Sequence, residues 1–435
     1  MMTRRTRWLA LLAAVALVGA AAWSGGAGAA TGRKKPPPGQ TDGVTATQIC
    51  VGSLGGYSTN PVGLPYQDIN DGVNAYFAMV NSQGGVNGRM LKICKTRDDA
   101  SQPVKNLLQT RALVEQDKVF AVMPVATINF SGARYLTKKG VPGFGYHISN
   151  DWQNAPNLFG ETGSYTCFDC PWPIDAWVAK QLGAKRVGVI GYSVQIAQDC
   201  VRWRKNAYNS FGVKTPYVND VLAFGFTASS FAADVQKIKD AHLDMLTTCM
   251  DSNGSLLVKQ EMNKAGINIP VQWGEGYNQA FLDKYGKDLD GLILSLSEQS
   301  FEDPQPSVGL QEFKQWMTST GHASTINKIS EAGWENADLF VAGLQKIGKN
   351  VTRQRLIDAI NKFKSWSAHG INAGIDWTHA HYRYNGGDSC NSFVEVVNGK
   401  YQLKFSEPGK PFVCLPTKTK NLDDFTIRAS APDQL

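Results

Sequence analysis

The stretch from Ile49 to Asp99 constrains the fold more than any other part of this chain. ICVGSL reads as a short strand, and GGYSTNPVGLPYQDI as a polar loop too long for a mere connector. DGVNAYFAMVN follows as an amphipathic helix, with Val73, Tyr76, Phe77 and Val80 at i, i+3, i+4 and i+7. Gly84-Gly85 and Asn87-Gly88 then supply turn positions, because left-handed backbone is cheap for glycine and tolerable for asparagine. MLKICK returns as a second strand, expected parallel to the first. In such a right-handed crossover the loop after the first strand opens at the carboxyl ends of the strands, where open α/β sheets hold ligands.

The N-terminal segment has the pattern of a targeting signal rather than of a folded element. Arg4, Arg5 and Arg7 form a basic region, Trp8 to Trp23 is apolar, and Ala27-Gly28-Ala29 offers a small-x-small cleavage site. Residues 1–29 are therefore expected to be an export signal, and the run is short for a membrane anchor. Thr3-Arg4-Arg5 resembles a twin-arginine start, but Arg7 and Trp8 stand where an apolar pair is usual. The first cysteine, Cys50, sits inside a strand, so a lipid anchor has no support. Residues 30–46, with RKKPPPG, read as a stiff exposed spacer.

The formal net charge of +7 is concentrated at this end. Arg4, Arg5, Arg7, Arg33, Lys34 and Lys35 supply nearly all of it, leaving the folded part near neutral. That excludes the basic patch nucleic acid demands. The remaining length exceeds what one core usually covers, so two lobes are expected.

Eight cysteines in an exported chain favour disulfides over metal or redox work. Cys50 and Cys94 lie in the two strands of the opening unit, close enough to bridge if those strands are neighbours. Cys390 and Cys414 flank a hairpin turning at Asn398-Gly399. Cys167 and Cys170 form CFDC, followed by Pro171 and without a thioredoxin-like context, which favours a local structural bridge over a redox dithiol. Cys200 and Cys249 would pair by elimination.

Strand and helix patterns alternate onward through Leu292 to Ser297. The segment Asn154 to Pro173 and the irregular SEQSFEDPQP stand out as crossings between lobes, and three helices follow before the hairpin. Enzyme motifs fail one by one. GSLGG is neither a Walker loop nor a dinucleotide fingerprint, and no GxSxG elbow occurs. His379 and His381 could face one way as metal ligands, with Asp388 as the one carboxylate near ligand spacing, but exposed hairpin residues are the better reading. No cofactor or metal is expected.

What recurs is polar or aromatic residues where strands end. Tyr57 to Asn60, Thr127 and Asn129, His147 and Ser149, Ser193 and Gln195, Asp251 to Asn253, and Glu275 with Tyr277 occupy six loop mouths. Singly they are bland, since Asp251 or Asn253 could cap the next helix. Together they favour a cleft.

VNSQGGVNGRMLKI, Arg97-Asp98-Asp99, KKGVPGF, GAKRVGVIGY and NKAGINIPVQWGEG resemble, in order, segments of type I solute-binding proteins of the branched-chain amino-acid family, which serve ABC importers. The resemblance spans roughly residues 47 to 415. It implies an α/β fold of two Rossmann-like lobes with mostly parallel sheets, joined by a three-crossing hinge and closing on a ligand. Lobe one would be 47–160 plus 300–367, lobe two 161–299 plus 368–415, with 416–435 as a tail. It also implies that Ala126-Thr127 and Ser149 hold a ligand carboxylate, and that the His147 carbonyl and Glu275 hold its ammonium. Ile196 and Asp251 depart from positions often aromatic. Two acids in one cleft, Asp251 and Glu275, favour a cationic or multiply hydrogen-bonding ligand, with Tyr57, Trp172 and Tyr277 as apolar wall.

The expectation is an exported, monomeric, non-enzymatic binder of an amino acid or amide, delivering it to an ABC permease in the membrane. The alternative is a sensor or partner-binding protein on the same fold. An envelope enzyme ranks last.

Overall fold

The computed structural model describes residues 37–60, 63–167, 170, 172–274, 277–384 and 386–435. The opening unit folds as read. β1 (Gln48–Gly55) leads through α1 (Ile69–Ser82) to β2 (Met90–Asp98), which pairs parallel to it. Between them Asn87 and four glycines at 84, 85 and 88 and in the loop at 63 adopt positive φ, as the tight turn and the loop require. α2 (Pro103–Glu115) starts on proline, whose missing N–H costs nothing in a first turn. β3 (Ala121–Ala126), α3 (Ala133–Lys139), β4 (Gly143–Tyr146) and β5 (Leu158–Gly160) complete a parallel sheet in the order β2-β1-β3-β4-β5.

The chain then builds a second sheet through α4 (Pro173–Gln181), β6 (Arg186–Tyr192), α5 (Gln195–Ser210), β7 (Lys214–Leu222), α6 (Ala228–Asp240), β8 (Met245–Cys249), α7 (Ser252–Lys264), β9 (Val271–Trp273), α8 (Gln279–Tyr285) and β10 (Leu292–Leu296). It returns to the first lobe as α9 (Val308–Ser319), α10 (Lys328–Ile347) and α11 (Arg353–Ile360). Asn327 opens α10 with a reciprocal capping box, accepting from the Ser330 N–H while the Ser330 hydroxyl accepts from its own N–H. Phe340 of α10 packs its ring against Phe77, Phe120 and Phe144, which anchors the helix to α1 and the first sheet.

β11 (Asp388–Val397), β12 (Lys400–Leu403), β13 (Phe412–Pro416) and β14 (Thr426–Arg428) finish the second sheet, in the order β14-β13-β11-β10-β9-β8-β6-β7 with β12 on β11. β6 to β10 are parallel; the C-terminal strands pair antiparallel. The β11–β12 turn places Asn398 and Gly399 at positive φ, as a two-residue hairpin demands. Four disulfides form: Cys50–Cys94, Cys167–Cys170, Cys200–Cys249 and Cys390–Cys414.

Two expected boundaries shift. Trp366, Ala368, Ile371 and Trp377 all pack in the first core, so the chain stays with the first lobe beyond residue 367. Nor is 416–435 a simple tail. After β14, the Ser430 hydroxyl donates to the Gly370 carbonyl (2.7 Å), the Ala431 N–H to the Ala373 carbonyl (3.0 Å), and Gln434 bridges Ser365. This run adds a strap to the three crossings that the resemblance implied. The expected signal segment lies outside the described residues, and no helix among those described is long and apolar enough to cross a membrane.

Candidate functional site

A parallel sheet aims its strand ends and the N-termini of the following helices the same way. Here the carboxyl ends of β4, β6, β8, β9 and β10, together with the crossings, border one cleft of about 730 Å³. That is within the range of small-molecule sites. The first-lobe wall carries Leu64, Tyr66, Ile128, Tyr146 and Ile148; the second-lobe wall carries Tyr192, Trp203, Phe224 and Trp273. Tyr165 and Trp172 of the first crossing floor it. Trp172 meets Trp203 edge to face, with ring centroids 6.2 Å apart, and donates its indole N–H to the Cys167 carbonyl (3.2 Å). Thus Trp172 both packs beside the CFDC bridge and lines the cleft.

Four helix N-termini reach this space: Ile174 and Asp175 of α4, Ile196 and Ala197 of α5, Asp251 as the cap of α7, and Lys328 opening α10. α7 and α10 are capped by Asp251 and Asn327, whereas α4 and α5 have no side-chain cap, and each helix dipole adds a partial positive charge at its end.

Each acid of the wall is already engaged. Glu161 accepts from the His147 N–H (2.9 Å). Asp175 accepts from Arg204 Nη1 (2.9 Å) and Gln272 Nε2 (2.8 Å). Asp251 caps α7 through the Gly254 N–H (2.8 Å) and accepts from the Tyr192 hydroxyl (2.6 Å). Burial, then the Asp251 carboxylate, push the Tyr192 phenol far above its usual range, so it remains a donor. Asp388 pairs with Arg428 at 3.0 Å. His147 is clamped by the first crossing, its ring nitrogens 3.2 Å from the hydroxyls of Thr162 and Thr166.

Of the residues expected in the site, His147 and Asp251 line the cleft. Ala126 and Thr127 are buried behind the wall, and the Thr127 hydroxyl turns back to the Asn129 carbonyl (3.4 Å). Ser149 points outward and donates to Asp151 (3.0 Å). Gln195 occupies the first position of α5 and donates to Asp199 (2.8 Å). Tyr57 hydrogen-bonds Ser53 (2.6 Å), and its loop is tied down by Asp98, which takes the N–H of Tyr57 (3.0 Å) and the Ser58 hydroxyl. Partial burial raises the Asp98 carboxyl, but those donors outweigh it and hold it down at about 2. Tyr277 is buried, stacked on Phe301 with its hydroxyl on Glu302, and belongs to the core. Glu275 lies outside the described residues. The expected ammonium and carboxylate sets are therefore not assembled by the residues described.

Of the histidine pair, His379 is exposed as expected and His381 is not. His379 stacks on Tyr384, whereas His381 is buried and shares a 2.7 Å hydrogen bond with Asn361. Among the described residues no cluster of three or more His, Cys, Asp or Glu could hold a metal ion.

The lining residues the sequence reading missed include Tyr66, Tyr146, Tyr192, Lys328, Trp203 and Arg204. Arg204 carried a usable signal. It follows Ala197, Cys200 and Val201 at helical spacing, so it sits on the buried face of α5, where an arginine is almost never found unpaired.

A family model described as periplasmic binding protein matches residues 49–400. Solved structures of similar fold include a branched-chain amino-acid transporter substrate-binding protein from Streptococcus pneumoniae in complex with isoleucine (16% identity, 82% of this chain and 98% of that one, TM-score 0.65). A fatty acid ABC transporter substrate-binding protein from Thermomonospora curvata is similar at 16% identity, covering 84% and 93%, with TM-score 0.66. A solute-binding protein from Rhodopseudomonas palustris in complex with p-hydroxybenzoic acid matches at 19% identity, 86% and 98% coverage, and TM-score 0.69. No curated protein sequence matches this chain.

Proposed function

Because the chain belongs to the periplasmic binding protein family, we propose that it is an exported solute-binding protein that captures a small solute with an apolar, ring-bearing body and hands it to an ABC importer. It acts by binding and closure rather than by turnover. The observation that carries the ligand class is the wall itself. Aromatic side chains from both lobes and the first crossing face one space, and rings cover a flat carbon skeleton by offset or edge-on contact. Proteins of similar fold hold isoleucine in one case and p-hydroxybenzoic acid in another. The breadth of this cleft and its aromatic lining favour a ligand of the second kind over a single aliphatic amino acid.

The test is a thermal-shift screen of amino acids, amides, polyamines, sugars, and aromatic and alicyclic compounds, followed by tryptophan fluorescence. A ligand that binds only the folded state raises the melting temperature. Ring-bearing compounds are expected to raise it and to perturb emission from Trp172, Trp203 and Trp273. A response restricted to sugars, polyamines or aliphatic amino acids overturns the proposed ligand class.

A further inference from the structure

We propose that Arg204, with the indole N–H of Trp203 beside it, is the anchor for an acidic head group on that solute, so the ligand is an organic carboxylate whose apolar body lies on the aromatic walls. This rests on the ring-bearing ligand class proposed above and adds the charge and the end at which it is read. Arg204 lines the cleft yet is only 7% exposed. One arm of its guanidinium is spent on Asp175, but Nε is buried without a hydrogen-bond partner. The neighbouring Trp203 Nε1 is likewise buried and unpartnered, and the Arg204 guanidinium lies 5.7 Å from the Trp203 ring centroid. Two buried donors without acceptors are costly unless something supplies the acceptors, since an unmade buried hydrogen bond forfeits the solvation of its donor.

Charge points the same way. The carboxylates of the wall are taken by protein donors, so a cationic ligand head would have to compete for them. Asp175 is further eased by its place in the first turn of α4. Arg204 therefore faces a space bordered by four helix N-termini and by Lys328 on the opposite wall. Gly274 keeps the approach open, because a side chain there would crowd Arg204 Nη2. A carboxylate supplies acceptor oxygens with a full negative charge, which suits a buried guanidinium N–H left without an acceptor.

The experiment compares 3-phenylpropanoate with 3-phenylpropanamide, which share a body and differ in charge, by calorimetry on the full chain. The acid is expected to bind at least about tenfold tighter, the worth of one charge-assisted hydrogen bond. Truncating Arg204 alone would strand the Asp175 carboxylate, so the variant is Arg204→Gln with Asp175→Asn, beside Arg204→Lys. The double variant is expected to remove the preference for acid over amide, and Arg204→Lys, which keeps the charge but not the guanidinium fork, to reduce it, with melting temperatures reported alongside. Equal binding of acid and amide by the native protein overturns the anchor and leaves the ring-bearing class standing. If neither compound binds, and no other ring-bearing acid or neutral analogue does, the ligand class itself falls. A preference for the acid that survives undiminished in the folded double variant also overturns the anchor.

Discussion

At the scale of single residues, burial decides protonation and hence stability. His381 is 2% exposed, and burial lowers its imidazole to about 4 despite an opposing backbone hydrogen bond. The unfolded chain takes up the proton near 6.5, whereas the folded chain stays neutral until about 4. Stability from this group is therefore complete above pH 6.5 and is lost as pH falls from there to about 4, by about 3 kcal/mol. His381→Gln, which keeps a donor for Asn361 but does not titrate, should lose correspondingly less stability over that window. Urea midpoints measured from pH 7 to pH 4 check this, and parallel slopes for the two proteins would refute it. The sequence showed His381 only as one of a pair in a turn-rich stretch. Its burial follows from Phe159 and Trp377, whose rings pack against it, and Phe159 is over two hundred positions away.

At the scale of elements, close backbone approach explains why α1 and α10 cross where they do. A Cβ on Gly333 would overlap the Ile69 carbonyl oxygen, and one on Gly72 would overlap that of Ser330. The two helices thus meet through paired glycines, each facing the other's backbone, which has no rotamer to move aside. Gly333→Ala should cost about 3 kcal/mol, at the upper end of ordinary overpacking. A stability loss below about 0.5 kcal/mol, the range of surface substitutions, would show that the crossing is looser than drawn. Sequence patterns made α1 to α7 and α9 to α11 legible. They did not mark α8 or the short β5, whose few residues give too little pattern to read.

At the scale of the whole molecule, no disulfide ties one lobe to the other. Cys50–Cys94 joins β1 to β2, Cys200–Cys249 joins α5 to β8, Cys390–Cys414 joins β11 to β13, and Cys167–Cys170 closes within the first crossing. Each bridge constrains one lobe or one crossing, so closure depends on backbone torsions in the crossings and on the strap at 430–434. A saturating ring-bearing ligand should reduce the radius of gyration measured by small-angle scattering, as hinge closure requires. An unchanged scattering profile at saturation would rule out closure as the response to binding. The fold was readable at this scale because alternating strands and helices admit few topologies once crossovers must be right-handed.

The sequence alone determined the α/β alternation, the parallel opening unit, the two-lobed plan and the cysteines that could meet, because these follow from local periodicity, turn chemistry and chain connectivity. Tertiary structure decided which side chains face the cleft. Loop residues such as Thr127, Ser149 and Tyr57 have no periodicity to fix their direction, and each turned to a nearer hydrogen-bond partner. Arg204 reached the wall because α5 packs that face against the second sheet, where Asp175 of α4 accepts from it and is held in place by a second donor, Gln272 of β9. Such a contact joins residues far apart in the chain, and a linear pattern carries no record of it.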